Sequence, residues 1–297
     1  ITEEWTSEDL SFIFGPPGTG KTTKSVLYAL YDLAQAAAAN QEARILLLTP
    51  TNKAADVFIE KALQFLNQPD TVYSLDIGLS EEEQTTLYEF LISNRHSPSF
   101  LYRFGNSYSE NIPPSQVGQM LPSSEQSLVA TTIHRYVHNQ PIYEYNQIDQ
   151  GASKLILDEA SMISLPHIIY ALLTITAFND SELKSSKLTP VTIAGDPFQL
   201  KPVGLTPNPL ESRGYNGWST ESIYTLLKLE QFDLDSTPVG GYTIDNLKIQ
   251  YRSSTSIGRL YSDYCYEGLM HHFHAELPSD LNPEFPESTS RIEFEVH

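Results

Sequence analysis

The sequence predicts an α/β fold built on a parallel sheet, and three observations lead to that prediction. Residues 15–22, Gly-Pro-Pro-Gly-Thr-Gly-Lys-Thr, stand between an apolar run and a helical one. Short apolar strand candidates then alternate with amphipathic helices, the order that βαβ units and parallel sheets require. The strand candidate 154–157 ends in the paired carboxylates Asp158 and Glu159, which places both at the edge where open α/β sheets bind ligands.

The first of these stretches predicts a nucleoside triphosphate site. It matches the phosphate-binding pattern G-x-x-x-x-G-K-[ST] at every fixed position. Its glycines let successive N–H groups point at a phosphate, and the following helix adds its positive N-terminal end. Lys21 is expected to reach the β- and γ-phosphates of ATP, and Thr22 to bind Mg²⁺ through its hydroxyl. The residues predicted to contact the nucleotide are Gly15, Pro17, Gly18, Thr19, Gly20, Lys21, Thr22 and Thr23.

Three further polar residues are predicted to complete the chemistry. Asp158 is placed to hold Mg²⁺, and Glu159 to orient and deprotonate an attacking water. A polar turn after the strand candidate 190–194 brings Gln199 to the same edge of the sheet. Because an amide both donates and accepts hydrogen bonds, Gln199 can sense a γ-phosphate or position water.

Composition bounds the partners and the compartment. The 297 residues carry a net charge of −19, from 37 acidic and 18 basic residues, which argues against broad attraction to nucleic acid or anionic membranes. Any nucleic-acid groove must therefore be local. Cys265 is the only cysteine, which excludes a disulfide within the chain and favours the reducing environment of the cytoplasm or nucleus. No apolar run reaches the length of a membrane span.

Changes in patterning divide the chain into three parts. Residues 1–66 and 128–232 carry the strands and helices of the nucleotide-binding core. Residues 67–127 are rich in Ser, Pro, Glu and Tyr and predict an inserted module outside the core sheet, with 101–105 as one short strand of it. Residues 233–297 begin with a Pro- and Gly-containing linker and are expected to start a second domain that is incomplete.

Six segments in this order resemble superfamily 1 helicases of the kind that acts in nonsense-mediated decay. They are 15–22, Thr-Pro-Thr-Asn at 49–52, Ala-Thr-Thr-Ile-His at 130–134, Asp-Glu-Ala-Ser at 158–161, Gly-Asp-Pro-Phe-Gln-Leu-Lys-Pro at 195–202 and Gln-Tyr-Arg at 250–252. The resemblance implies a RecA-like first domain and part of a second, with ATP between them. It also implies that Arg252 reaches the γ-phosphate and that Tyr251 stacks on adenine.

By the same resemblance, single-stranded RNA or DNA crosses the top of the sheet. Hydroxyls and backbone N–H groups bind phosphates without formal charge, which reconciles the acidic chain with a nucleic-acid partner. The alternative is that these polar residues cap the ends of strands and helices. The residues implied are Thr49, Pro50, Thr51, Asn52, Thr131 and Thr132.

The chain also departs from the family pattern. The family's adenine-reading glutamine has no counterpart in residues 1–14, and its later motifs would fall beyond His297. We therefore expect a fragment of a larger helicase. Two other functions stay open: a nucleotide-dependent switch or protein remodeller without unwinding activity, and a docking platform whose residues 67–127 and acidic surface recruit a protein.

Overall fold

A parallel sheet organises the chain in the computed structural model. The structure describes residues 10–75, 78–96, 98–105, 108–118, 125–138, 152–183, 189–202, 220–230 and 243–272, with the backbone alone for 176–183 and 243. Eight strands of these residues form the sheet: β1 Leu10–Phe14, β2 Ala43–Thr49, β3 Leu101–Phe104, β4 Val117–Gly118, β5 Gln126–Thr132, β6 Lys154–Leu157, β7 Val191–Gly195 and β8 Thr243–Asn246.

The strand order is β4-β3-β5-β2-β6-β7-β1-β8, and each neighbouring pair is parallel. All carboxyl ends therefore meet at one edge of the sheet. Strands β6, β7 and β1 are consecutive neighbours in the sheet. They carry the predicted phosphate loop and its polar partners. Two further strands, β9 Ile249–Gln250 and β10 His271–His272, form a separate parallel pair.

Helices cover both faces of the sheet, which is why the central strands read as continuous apolar runs. In β2, Ile45 and Leu47 belong to one buried core, whereas Leu46 and Leu48 belong to the other. The expected α/β fold, a parallel sheet flanked by helices, is confirmed. The described helices are α1 Lys21–Ala38, α2 Asn52–Asn67, α3 Glu81–Asn94, α4 Ile133–His138, α5 Leu165–Leu183, α6 Ile223–Leu226 and α7 Thr255–Cys265, with 3₁₀ turns at Pro69–Ser74, Pro114–Gln116 and Ala160–Met162.

The described part of 67–127 differs from the expectation of a module outside the core sheet. Strand β3 pairs with β5 and extends the main sheet, and β4 pairs with β3. Leu87 and Leu91 of α3 are fully buried in the core that α1 shares. The short strand predicted at 101–105 is present, but its place in the main sheet was not predicted, because it is four residues long and includes a charged residue, Arg103, that is completely buried.

The boundary of the second part of the chain also differs from the expectation. The sequence predicts that the residues of β8 belong to a second domain, but they pair with β1 from Ser11–Thr243 to Phe14–Asn246 at the edge of the main sheet. The pairing continues in a hydrogen bond from the Leu247 N–H to the Phe14 carbonyl, at 2.7 Å. The predicted linker at 233–241 and the strand candidate at 291–296 lie outside the described residues.

Arg103 is held inside the sheet by a set of acceptors. Its Nε donates to Asp56 Oδ1 at 2.8 Å, and its Nη2 to Asn52 Oδ1 at 2.9 Å. Burial lowers the pKa of Arg103, and the nearby Arg135 adds to that effect. The ion pair therefore offsets a large desolvation penalty and joins β3 to the start of α2.

Among the described helices, none has the length and hydropathy that a membrane span requires.

This buried pair yields a stability prediction. Asp56→Ala leaves the guanidinium of Arg103 without its counter-charge, so the free energy of unfolding should fall by about 3 kcal/mol. Asp32→Ala is the matched control, because its pair with Lys154 has side chains that are 33% and 21% exposed. That variant should lose less than about 1 kcal/mol. Urea unfolding measures both, and equal losses would show that the buried pair has no special weight.

Candidate nucleotide site

The phosphate loop connects β1 to α1 and has the backbone that its glycines allow. Gly18 has φ 80° and Gly20 has φ 91°, both in the left-handed region that favours glycine. Gly20 is the N-cap residue of α1, so the loop leads directly into the positive end of that helix. The eight residues predicted to contact nucleotide lie in this loop or in the first turn of α1: Gly15, Pro17, Gly18, Thr19, Gly20, Lys21, Thr22 and Thr23.

The ammonium of Lys21 lies inside this loop. Its Nζ donates to the Gly15 carbonyl at 2.7 Å and to the Pro16 carbonyl at 3.3 Å, and the residue is 6% exposed. Thr19 also binds the Pro16 carbonyl, through its hydroxyl, at 2.8 Å. Phosphate oxygens would compete with neutral carbonyls for this cation, and a charged acceptor forms the stronger hydrogen bond. Lys21 can therefore transfer its hydrogen bonds from the backbone carbonyls to the phosphate oxygens of a bound nucleotide.

The two predicted magnesium-binding residues are in direct contact. Thr22 Oγ1 donates to Asp158 Oδ2 at 3.0 Å, although they are 136 residues apart in the chain. Burial and the neighbouring Glu159 raise the pKa of Asp158 to about 6. A hydroxyl and a carboxylate are hard oxygen ligands, and a cation would stabilise the buried charge. These residues therefore fit Mg²⁺.

Glu159 stands beside this pair in an unusual backbone conformation. Its φ of 53° and ψ of 41° are left-handed, which is uncommon for a residue other than glycine. Its N–H donates to Asp158 Oδ1 at 3.0 Å, and the 3₁₀ turn Ala160–Met162 follows. Residues held in this region often lie at functional sites. The conformation separates the two adjacent carboxylates, with Asp158 buried and Glu159 partly exposed.

Gln199 lies in the turn after β7, the strand between β6 and β1. Its Nε2 donates to Asp196 Oδ2 at 3.0 Å, and the Phe198 N–H donates to Asp196 Oδ1 at 3.0 Å. Because of the strand order, this turn lies between the phosphate loop and the carboxylates of β6. The structure thus brings Gln199 to the same edge as Lys21 and Asp158, as the sequence predicts.

Tyr251 and Arg252 lie directly against the phosphate loop. The Tyr251 N–H donates to the Gly18 carbonyl at 2.9 Å. A Cβ placed on Gly18 would be 2.5 Å from the Cβ of Arg252, so only glycine allows this approach. Both side chains are exposed, which leaves them available to a nucleotide bound at the loop.

The residues expected to hold nucleic acid gather at one edge, but two of them are fully buried. Thr49 Oγ1 donates to the Thr51 carbonyl at 2.9 Å, and Thr131 Oγ1 donates to the Phe104 carbonyl at 3.0 Å. Both threonines are 0% exposed, and their hydroxyls bind backbone carbonyls at the ends of strands. For Thr49 and Thr131 the contacts favour the capping alternative.

Of the remaining four residues, Thr132 is buried and the other three lie nearer the surface. Thr51 is the N-cap of α2, and its Oγ1 accepts from the Ala54 N–H at 3.2 Å. Thr132 Oγ1 accepts from the Arg135 N–H at 3.2 Å. Asn52 and Thr51 are exposed and Pro50 is half-buried. What this edge offers a ligand is chiefly its backbone and Asn52.

Sequence reasoning missed two buried residues of the site. Asp196 stands in the same motif as Gln199, so that motif already contained its signal. Tyr224 of α6 is 0% exposed, and its ring centroid lies 5.1 Å from that of Phe14. Burial and the charge of Asp158 raise the pKa of Tyr224 well above its ordinary value. In the sequence it is marked only by an apolar helical pattern.

Comparison with known proteins places the chain in a family. Residues 1–205 match the AAA domain family, which is more than half of the chain. The chain belongs to the AAA domain family. No curated protein matches this AAA domain.

Several solved helicases weakly resemble this chain. The PRRSV helicase is 15% identical with a TM-score of 0.40, over 90% of this chain and 36% of that helicase. Arterivirus nonstructural protein 10, a helicase in complex with DNA, is 14% identical with a TM-score of 0.41, over 90% and 42%. Bacteroides Pif1 bound to ssDNA is 16% identical with a TM-score of 0.37, over 88% and 44%. This chain spans about two fifths of the length of these proteins.

Two glycines of the loop allow a matched test of its packing against Arg252. Gly18→Ala and Gly20→Ala both impose a left-handed alanine, which should destabilise each variant by about 1–2 kcal/mol. Only Gly18→Ala collides with Arg252, because a Cβ on Gly20 meets nothing within 4 Å. Hydrogen exchange should therefore show a protected Tyr251 N–H in wild type and Gly20→Ala, and an unprotected one in Gly18→Ala. Equal protection in both variants would contradict the contact.

The raised pKa of Asp158 predicts a stabilising substitution. At pH 7.5 the carboxylate is ionised in the folded state against its raised pKa, which lowers folding stability. Asp158→Asn removes that charge and keeps an acceptor for the Glu159 N–H, so the free energy of unfolding should rise by about 1–3 kcal/mol. Asp196→Asn is the contrasting control, since an NH₂ group would replace an oxygen that several donors share, and it should lose stability. Urea unfolding without nucleotide or magnesium measures both. A loss in Asp158→Asn would refute the prediction.

Proposed function

We propose that this chain hydrolyses ATP and uses the energy to move along or unwind single-stranded nucleic acid. The observation that carries the proposal is the contact between Thr22 and Asp158 at 3.0 Å, with Glu159 beside it. It joins the phosphate loop to a carboxylate pair in the arrangement that phosphoryl transfer to water requires. Membership of the AAA domain family supports the nucleotide-binding part of the proposal.

The chain's own residues account for each part of the hydrolysis. Loop N–H groups and Lys21 hold the phosphates, and Glu159 orients a water for in-line attack on the γ-phosphorus and accepts its proton. The bond from the γ-phosphorus to the bridging oxygen breaks, which releases ADP and inorganic phosphate. Thr22 and Asp158 would hold Mg²⁺, which would supply positive charge to the phosphates. Arg252 offsets charge that develops on the transferring group.

A local basic feature supports a nucleic-acid partner for this acidic chain. Arg135 is half-buried at the carboxyl edge, and its guanidinium carbon lies 5.9 Å from the centroid of the Phe104 ring. Among the described residues no carboxylate pairs with Arg135, and it lies near a second guanidinium, that of Arg103. A phosphodiester would relieve the repulsion between these two cations. The backbone N–H groups of the exposed residues Thr51 and Asn52 add uncharged donors to the same edge.

The finer assignment is part of the same proposal. We assign the chain to superfamily 1 helicases of the nonsense-mediated decay type, because its six segments stand in the order of that family. Its single cysteine favours action in the cytoplasm or nucleus. The competing function is a nucleotide-dependent switch or protein remodeller. The net charge of −19 and the buried hydroxyls of Thr49 and Thr131 favour that alternative, in which the acidic surface binds a protein.

ATP hydrolysis with and without single-stranded RNA and DNA tests the proposal. We expect a rate that rises with nucleic acid and is abolished in Glu159→Gln. Arg252→Ala should lower the stimulated rate by about 10³-fold, the lower range for arginine fingers. Arg259→Ala, which removes an exposed charge from α7, is the matched control and should hydrolyse ATP normally. Hydrolysis that ignores nucleic acid would favour the remodeller, and no hydrolysis under any condition would refute the proposal.

A further inference from the structure

The carboxylate of Asp196 is a buried centre where three donors meet. Its Oδ1 accepts from the Phe198 N–H at 3.0 Å, and its Oδ2 accepts from Gln199 Nε2 at 3.0 Å. The same Oδ2 accepts from the Tyr266 hydroxyl at 2.6 Å. Asp196 is 1% exposed and Tyr266 is 3% exposed. Hydrogen bonds to a charged acceptor away from water are the strong ones, so this centre is rigid.

This geometry fixes which way the amide of Gln199 faces. Only the NH₂ end of an amide can donate, so the end that faces the carboxylate of Asp196 is the NH₂. The carbonyl oxygen of Gln199 must therefore face away from Asp196. It is then an acceptor for a water O–H at the edge where Glu159 and Lys21 also lie. A reversed amide would set its oxygen against the carboxylate.

Tyr266 reaches this centre from a distant part of the chain. It follows α7, in the segment that begins where Tyr251 and Arg252 contact the phosphate loop. Its ring packs edge-on against Phe198, with centroids 5.5 Å apart, and against Tyr261 at 6.4 Å. Burial and Asp196 raise the pKa of Tyr266, which keeps its hydroxyl a donor at neutral pH. The residue thus belongs to the small unit with β9 and β10 but bonds to the turn after β7.

We propose that Tyr266 is a positioning residue that acts through Asp196 to orient the amide of Gln199 and to tie it to the segment that carries Arg252. The inference rests on the proposed ATP hydrolysis, because it assigns Gln199 a place in that reaction. Without the hydroxyl of Tyr266, Asp196 loses one of the donors that hold its Oδ2 in place. The amide of Gln199 then samples several orientations, and fewer of the bound complexes are competent to react.

The first test removes only the hydroxyl. Tyr266→Phe keeps the ring against Phe198 and should lower kcat about ten-fold, because a lost charged hydrogen bond corresponds to roughly that factor. KM for ATP should change less than about two-fold, since the phosphate loop is untouched. Tyr261→Phe is the matched control: its hydroxyl lies 3.4 Å from Ser253 Oγ and does not contact Asp196. Equal kcat in Tyr266→Phe and Tyr261→Phe would overturn the inference.

A double substitution separates positioning from a general structural role. If Tyr266 acts through Gln199, then Tyr266→Phe should cause no further loss of kcat in a Gln199→Ala background. Losses that multiply would mean that Tyr266 acts independently of Gln199 and would overturn the inference.

A spectroscopic measurement decides the inference even where the proposed hydrolysis fails. In nitrogen-15 spectra of the full chain, the side-chain NH₂ signals of Gln199 should be shifted and more mobile in Tyr266→Phe, but unchanged in Tyr261→Phe. An absence of ATP hydrolysis in wild type would refute the proposed function alone. Unchanged Gln199 signals in Tyr266→Phe would refute the positioning role of Tyr266, whether or not the chain hydrolyses ATP.

Discussion

The hydrogen bond from Thr22 to Asp158 is the contact on which the candidate site depends. It joins the first turn of α1, the helix that follows β1, to the end of β6, and strands β1 and β6 lie on either side of β7 in the sheet. With that distance set, the turn after β7 has to lie between the phosphate loop and the carboxylates. The position of Gln199 is thus a consequence of strand order.

Burial on both faces of the sheet explains why the polar chemistry is concentrated at one edge. Alternate residues of β2 fill two separate cores, so polar groups can leave the interior only where strands end. Charges that remain buried have partners: Arg103 has Asp56, and Asp196 has the hydroxyl of Tyr266. Asp158 also accepts two hydrogen bonds, from Thr22 and the Glu159 N–H, but burial and the neighbouring carboxylate of Glu159 still raise its pKa. An imbalance of this kind suits a residue whose natural partner is a cation.

Much of the central sheet could be predicted from local sequence, and its edges could not. β2, β5, β6 and β7 are apolar runs bounded by polar residues, and the structure has strands at all of them. A short strand at 101–105 could be predicted, but its place in the main sheet could not, because Arg103 interrupts its apolar pattern and only the acceptors around the guanidinium explain its burial. The place of β8 in the main sheet could not be predicted, because it depends on pairing with β1. In the sequence, β8 also follows a predicted linker, which suggested a domain boundary.

The sequence by itself determined the chemical groups of this protein: a glycine-rich loop with Lys21 and Thr22, an acidic pair at 158–159, and an amide at 199. Such motifs are readable because their spacing lies within one turn of backbone, where local geometry dictates residue type. The tertiary structure decided which groups meet, that the hydroxyls of Thr49 and Thr131 point inward, and that Tyr266 bonds to Asp196, 70 residues away. Those contacts follow from strand order and side-chain packing, and no local pattern encodes a hydrogen bond between residues so far apart in the chain.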